Sequence, residues 1–167
     1  MVYRRLVNQH LSSAQLILSE LGHQTNADYS LQRAFERSAL LLLNSAFICQ
    51  LRVIADSYHC PDIAAISDIQ SLQTALVAID TPAPEAREIE VLASEGWLGE
   101  LLIALQKLCL PAPSPLSTAL TPSASQSDIA LRDDSREQSV LNAAKLQQWF
   151  LALEELVQRQ AEMMVEY

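Results

Sequence analysis

The chain has 167 residues, half of them hydrophobic and about a fifth charged, a composition that suits one folded domain with a sizeable core and excludes a disordered chain. A net charge of −9 works against nonspecific binding to nucleic acid or to an anionic membrane. Three glycines are too few for a turn-rich sheet protein, and Gly22, Gly96 and Gly99 build neither GxGxxG nor GxxxxGK[ST].

In chain order, Tyr3, Val7, Leu11, Ala14, Leu18 and Leu21 recur at three- and four-residue steps and predict a first helix from about Val2 to Leu21. Gly22 is the expected left-handed residue closing it. Asn26 or Asp28 then caps a second helix reaching about Tyr58, and Pro61 blocks its continuation. The four leucines Leu40 to Leu43 cannot all face one neighbour, so this helix is expected to be encircled at the centre of a bundle. It is not expected to span a membrane. Only 14 residues separate Arg37 from Arg52, and Asn44 and Gln50 interrupt them.

A shorter helix is expected over Pro61 to Ile79, with a break near Ser67, whose spacing to Gln70 is that of a capping box. Thr81 to Pro84 reads as a turn, and a helix starts at Pro84. A bend is expected at Ser94–Trp97, followed by a segment to Leu110. Pro111 to Ser127, uncharged and carrying four prolines, is a connector able to reach about 55–60 Å. The last helix is predicted from Ser135, boxed with Gln138, to Val165. Its stripe is Leu146, Trp149, Phe150, Leu153, Leu156, Val157 and Met164. The architecture is all-α: a single helical-bundle domain over 1–167, with four main helical layers, short helices and a long crossover before the C-terminal helix.

Chemistry is sparse. Glu20–His23 and Asp56–His59 share the carboxylate-x-x-His pattern of di-iron bundles, but each closes its own helix, and antiparallel helices put them at opposite ends. No metal or cofactor is expected. Arg52 and His59 match the Arg-x4–6-His spacing of the HEPN superfamily, so they resemble its catalytic pair. That resemblance implies a ribonuclease in which Arg52 steadies phosphate charge and His59 moves the proton. Val53 departs from the polar residue usual after the arginine, and the chain has no basic track. Cys49 and Cys109 lie in apolar runs; Cys60 follows His59, whose imidazolium would activate it only if the two met in space.

Asn44 and Gln50, if buried, need partners, and an interhelix bond with His10 is one expectation. A ligand cavity lined by Leu42, Asn44 and Phe47 is the functional counterpart. Trp97, Trp149, Met163, Met164 and Tyr167 are candidate contact residues for a protein partner or a second copy of the chain. An odd cysteine count without CxxC, and a polar Asn8–Gln9–His10 where a signal peptide would be apolar, point to the cytoplasm.

Ser94, Trp97 and Leu98 of SEGWLGELL, with Trp149, Leu153, Gln158, Arg159 and Tyr167 of the terminal segment, resemble a small bacterial all-helical family classified only as a domain of unknown function. The resemblance implies a compact bundle in a bacterial cytosol and carries no activity. The expected function is therefore a non-enzymatic module that binds a protein partner or itself, with the HEPN-like ribonuclease as the alternative.

Overall fold

The computed structural model describes residues 2–23, 29–109 and 141–164. Among them are six α-helices and no strand: α1 (Val2–His23), α2 (Tyr29–Ser57), α3 (Ile69–Ala78), α4 (Pro84–Glu95), α5 (Trp97–Cys109) and α6 (Ala143–Met163). A single 3-10 turn, Ile63–Ala65, joins α2 to α3. The fold is all-α. Three long helices and three short ones carry it. The expected connector at 111–127, the caps at Asn26 and Asp28, and the Ser135–Gln138 box lie outside the described residues.

Contacts fix the directions of the long helices. The Arg52 guanidinium, late in α2, lies 5.7 Å from the centre of the Tyr3 ring, early in α1, so α1 and α2 are antiparallel. Gln50 meets Gln160, and Ser57 donates to the Met164 sulfur, so α6 runs parallel to α2 and antiparallel to α1. The buried faces of all six helices join in one apolar cluster, with Phe47, Trp149 and Phe150 its largest members.

By length and composition α2 could cross a membrane, yet 56% of its most apolar window is buried inside the bundle. Leu40 and Leu43 are sealed, whereas Leu41 is 47% exposed. This corrects the expectation of a fully encircled helix. At 29 residues α2 is about 43 Å long, and α3, α4 and α5, at 10, 12 and 13 residues, are too short to sheathe it throughout.

Helix ends also differ from expectation. Gly22 stays inside α1 and no described glycine has a positive φ. The left-handed closing residue is instead His59 for α2 (φ 57°) and Asp80 for α3 (φ 49°). At both ends the same pair of backbone bonds forms: His59 N–H to Asp56 O with Cys60 N–H to Ala55 O, and Asp80 N–H to Val77 O with Thr81 N–H to Leu76 O. That is the Schellman motif, built here without glycine. Side chains with a Cβ are strained at such φ, so His59→Gly is expected to raise stability by about 0.5–1 kcal/mol in a urea melt.

The predicted break before α3 is present, but the capping box is Asp68 with Ser71, one residue beyond the expected pair. Asp68 accepts from the Ser71 N–H at 2.7 Å, and Ser71 Oγ accepts from the Asp68 N–H. The bond from the Ser71 N–H, helped by the Ser71 hydroxyl, holds the Asp68 carboxyl below its ordinary range. At the other end of the chain α6 begins at Ala143, not near Ser135, because Asn142 caps it by accepting from the Lys145 N–H.

The two glycines of SEGWLGELL serve the corner between α4 and α5. A Cβ at Gly96 would lie 2.9 Å from Leu92 O, and one at Gly99 would collide with Ala93 O. Backbone cannot yield as a side chain can, so Gly99→Ala is expected to cost about 1–3 kcal/mol and to lower the thermal midpoint accordingly.

Candidate functional site

Arg52 does not face solvent as a free cation. Its Nε donates to Ile66 O at 2.9 Å and a terminal nitrogen donates to Ala64 O at 3.2 Å, so the guanidinium ties the α2–α3 connection down over Tyr3. His59 is exposed, its Nδ1 3.1 Å from Asp56 O, and its backbone closes α2. Both residues thus have structural employment. Cys60 is buried, and burial raises its thiol pKa, the reverse of activation; Cys49 is raised for the same reason, against a smaller opposing pull from Arg52. Cys109 is exposed. A disulfide-exchange dye is expected to titrate one thiol in the native protein and three in denaturant.

Glu20–His23 and Asp56–His59 close α1 and α2, which run in opposite directions. Among the described residues no group of three or more His, Cys, Asp or Glu side chains could hold a metal. Of the contact candidates, Trp149 is 1% exposed and belongs to the core, while Trp97, Met163 and Met164 are half-buried. Tyr167 lies outside the described residues. Phe47 is a core side chain, and Asn44 is half-buried.

Concave surface lies elsewhere, in more than one place: an open depression of about 720 Å³ lies between α3 and α4, around Val77, Pro82 and Arg87. A groove of about 400 Å³ opens between α1 and α6, with Gln50 and Val53 of α2 as its floor. Arg4, Asn8, Ser12 and Gln15 line the α1 wall; Phe150, Glu154, Val157 and Gln158 belong to the α6 wall. Steps of four, four and three residues put the α1 set on one face. Because the walls are antiparallel, Arg4 stands at the Met164 end and Glu154 toward the other.

Beneath the floor runs a buried polar chain. Gln160, fully buried, donates to Glu85 O at 3.3 Å and to Glu88 Oε2 at 3.1 Å, and its Oε1 accepts from Gln50 Nε2 at 2.9 Å. Arg159 donates to Glu88 Oε1 at 2.6 Å, and the Tyr58 hydroxyl donates to the buried Glu85 carboxylate at 2.7 Å. Gln50 therefore does find an interhelix partner, but it is Gln160 and not His10. The sequence did hold a signal for it: Leu146, Trp149, Leu153, Leu156 and Gln160 are in phase, so Gln160 falls on the apolar stripe.

A model for a family of unknown function, DUF6586, matches residues 1–167. The chain belongs to that family. No curated protein and no solved structure gives a significant match. In this DUF6586 protein several of the residues behind the resemblance have distinct tasks. Leu98, Trp149 and Leu153 are core, Arg159 anchors Glu88, and Gln158 lines the groove. None of these arrangements assembles a nucleophile with a base, and the groove offers amides, a hydroxyl, two opposite charges and apolar carbon.

Proposed function

We propose that this protein is a non-enzymatic binding module of the bacterial cytoplasm that receives part of a protein partner in the groove between α1 and α6. The observation that carries the reading is the groove itself, an open cleft whose walls mix apolar carbon with amides and whose floor is a fixed, buried glutamine. Its lining suits recognition rather than turnover. The three cysteines are unpaired, which fits a reducing compartment, and the charge of −9 argues against nucleic acid as the partner. The employment of Arg52 on two backbone carbonyls leaves the ribonuclease alternative without a specific supporting contact.

The test uses a photo-crosslinking amino acid at Ser12, on the groove wall, and at Ile103, exposed on α5 and outside both depressions. A partner identified from Ser12 adducts should bind the purified chain, and Ser12→Trp should abolish that binding without shifting the melt. Equal adducts from both positions, or binding indifferent to Ser12→Trp, would refute the groove as the receiving surface. Light scattering after size exclusion tells whether the partner is a second copy, by a doubled mass.

A further inference from the structure

The buried chain under the groove decides what its floor presents. Both amide hydrogens of Gln160 are committed to acceptors, Glu85 O and Glu88 Oε2, so Gln160 must turn its oxygen toward Gln50. Gln50 must then offer its NH2 to that oxygen. The polar end left to the groove is Gln50 Oε1, to which no described group donates and which opens to the solvent of the groove. An acceptor whose orientation is locked from behind can take a donor from whatever fills the cleft.

Resting on the binding reading above, we infer that the occupant is an extended peptide segment, hydrogen-bonded through a backbone N–H to Gln50 Oε1 and carrying opposite charges at its two ends. Extended backbone leaves N–H groups unpaired for such an acceptor, whereas a helix spends them internally. The wall amides Asn8, Gln15 and Gln158 can each pair with both a peptide N–H and a C=O.

Charge sets the polarity. Arg4 lies beside the Met164 end of α6 and Glu154 lies seven to ten residues back along that helix, roughly 10–15 Å away. Extended chain covers that distance in about three to four residues. An acidic side chain at the Arg4 end and a basic one at the Glu154 end match it, while the charges of a free amino acid are too close together to reach both.

The experiment measures anisotropy of fluorescent, end-blocked pentapeptide pools, Lys-X-X-X-Asp and Asp-X-X-X-Lys, against the full chain. One orientation should bind, and an Ala-X-X-X-Ala pool should bind at least tenfold more weakly. N-methylation of the central residue, which removes the donor to Gln50 Oε1, should weaken binding about tenfold or more. Arg4→Glu should do likewise, and replacing the peptide's Asp with Lys should restore it. Binding indifferent to N-methylation and to the charge swap would overturn the inference, as would no binding by either pool. If pentapeptides fail while a Ser12-crosslinked partner is still lost in Ser12→Trp, the groove stands and the extended-peptide assignment falls. If pentapeptides bind equally to Ser12→Trp, both fall.

Discussion

Trp149→Ala is expected to lower stability by about 3–5 kcal/mol, read as a shift of the denaturant midpoint with an unchanged slope. Trp149 sits on the first turns of α6, where that helix meets the core, and only 1% of it reaches solvent. Removing the indole deletes a large share of the apolar contact and leaves a void that close-packed neighbours cannot fill. Trp149→Phe separates packing from polarity. The indole Nε1 is buried without a hydrogen-bond partner, although it lies near enough to Glu100 to favour that carboxylate. Lys145 caps the ring at 5.8 Å and pairs with Glu100, and the bond to Lys145 is the main reason the Glu100 pKa is lowered. Phenylalanine keeps most of the contact and discards an unpaired donor, so a cost of about 1 kcal/mol is expected. A phenylalanine variant as damaged as the alanine one would mean that Nε1 is bonded after all.

Gln160→Leu is expected to cost about 2–4 kcal/mol, though leucine is the more hydrophobic side chain. The change strands three groups at once: the Gln50 amide loses its acceptor, and Glu85 O and Glu88 Oε2 lose their donor. Arg159 continues to hold Glu88, which limits the damage on that side. The sharper measurement is the cycle with Gln50→Leu. Once both amides are gone, neither is left unpaired, so the double variant should be more stable than the sum of the singles predicts by about 1 kcal/mol or more. Strict additivity would show that the two amides do not exchange a bond that matters. Because Gln50 also forms the groove floor, the Gln50→Leu variant also tests the proposed peptide binding.

Several elements could be read directly from residue spacing. The corner at Ser94–Trp97 and the start of α4 at Pro84 lie where proline, glycine and the break in apolar period put them. The α6 stripe is buried nearly residue for residue, because a 3.6-residue repeat depends only on local geometry. The cap positions were less legible. Asp68 lies beside Ser67, and either can accept from a backbone N–H three residues on; the tertiary placement of Ile66 and Ile69 against the core selects Asp68. The C-terminal caps at His59 and Asp80 carry no glycine, the usual mark of a left-handed residue, and so could not be recognised from composition.

By itself the sequence determined that the chain is all-α, roughly where its helices lie, and which faces of α1 and α6 go inside, since those properties follow from hydrophobic period and from proline and glycine placement along the chain. Only the tertiary structure decided that α6 runs parallel to α2, that Leu41 meets solvent while Leu40 does not, and that Gln50 is answered by Gln160 from 110 positions away. The groove belongs to the same class. Its walls come from the two ends of the chain, and no local pattern records which distant helices will lie side by side.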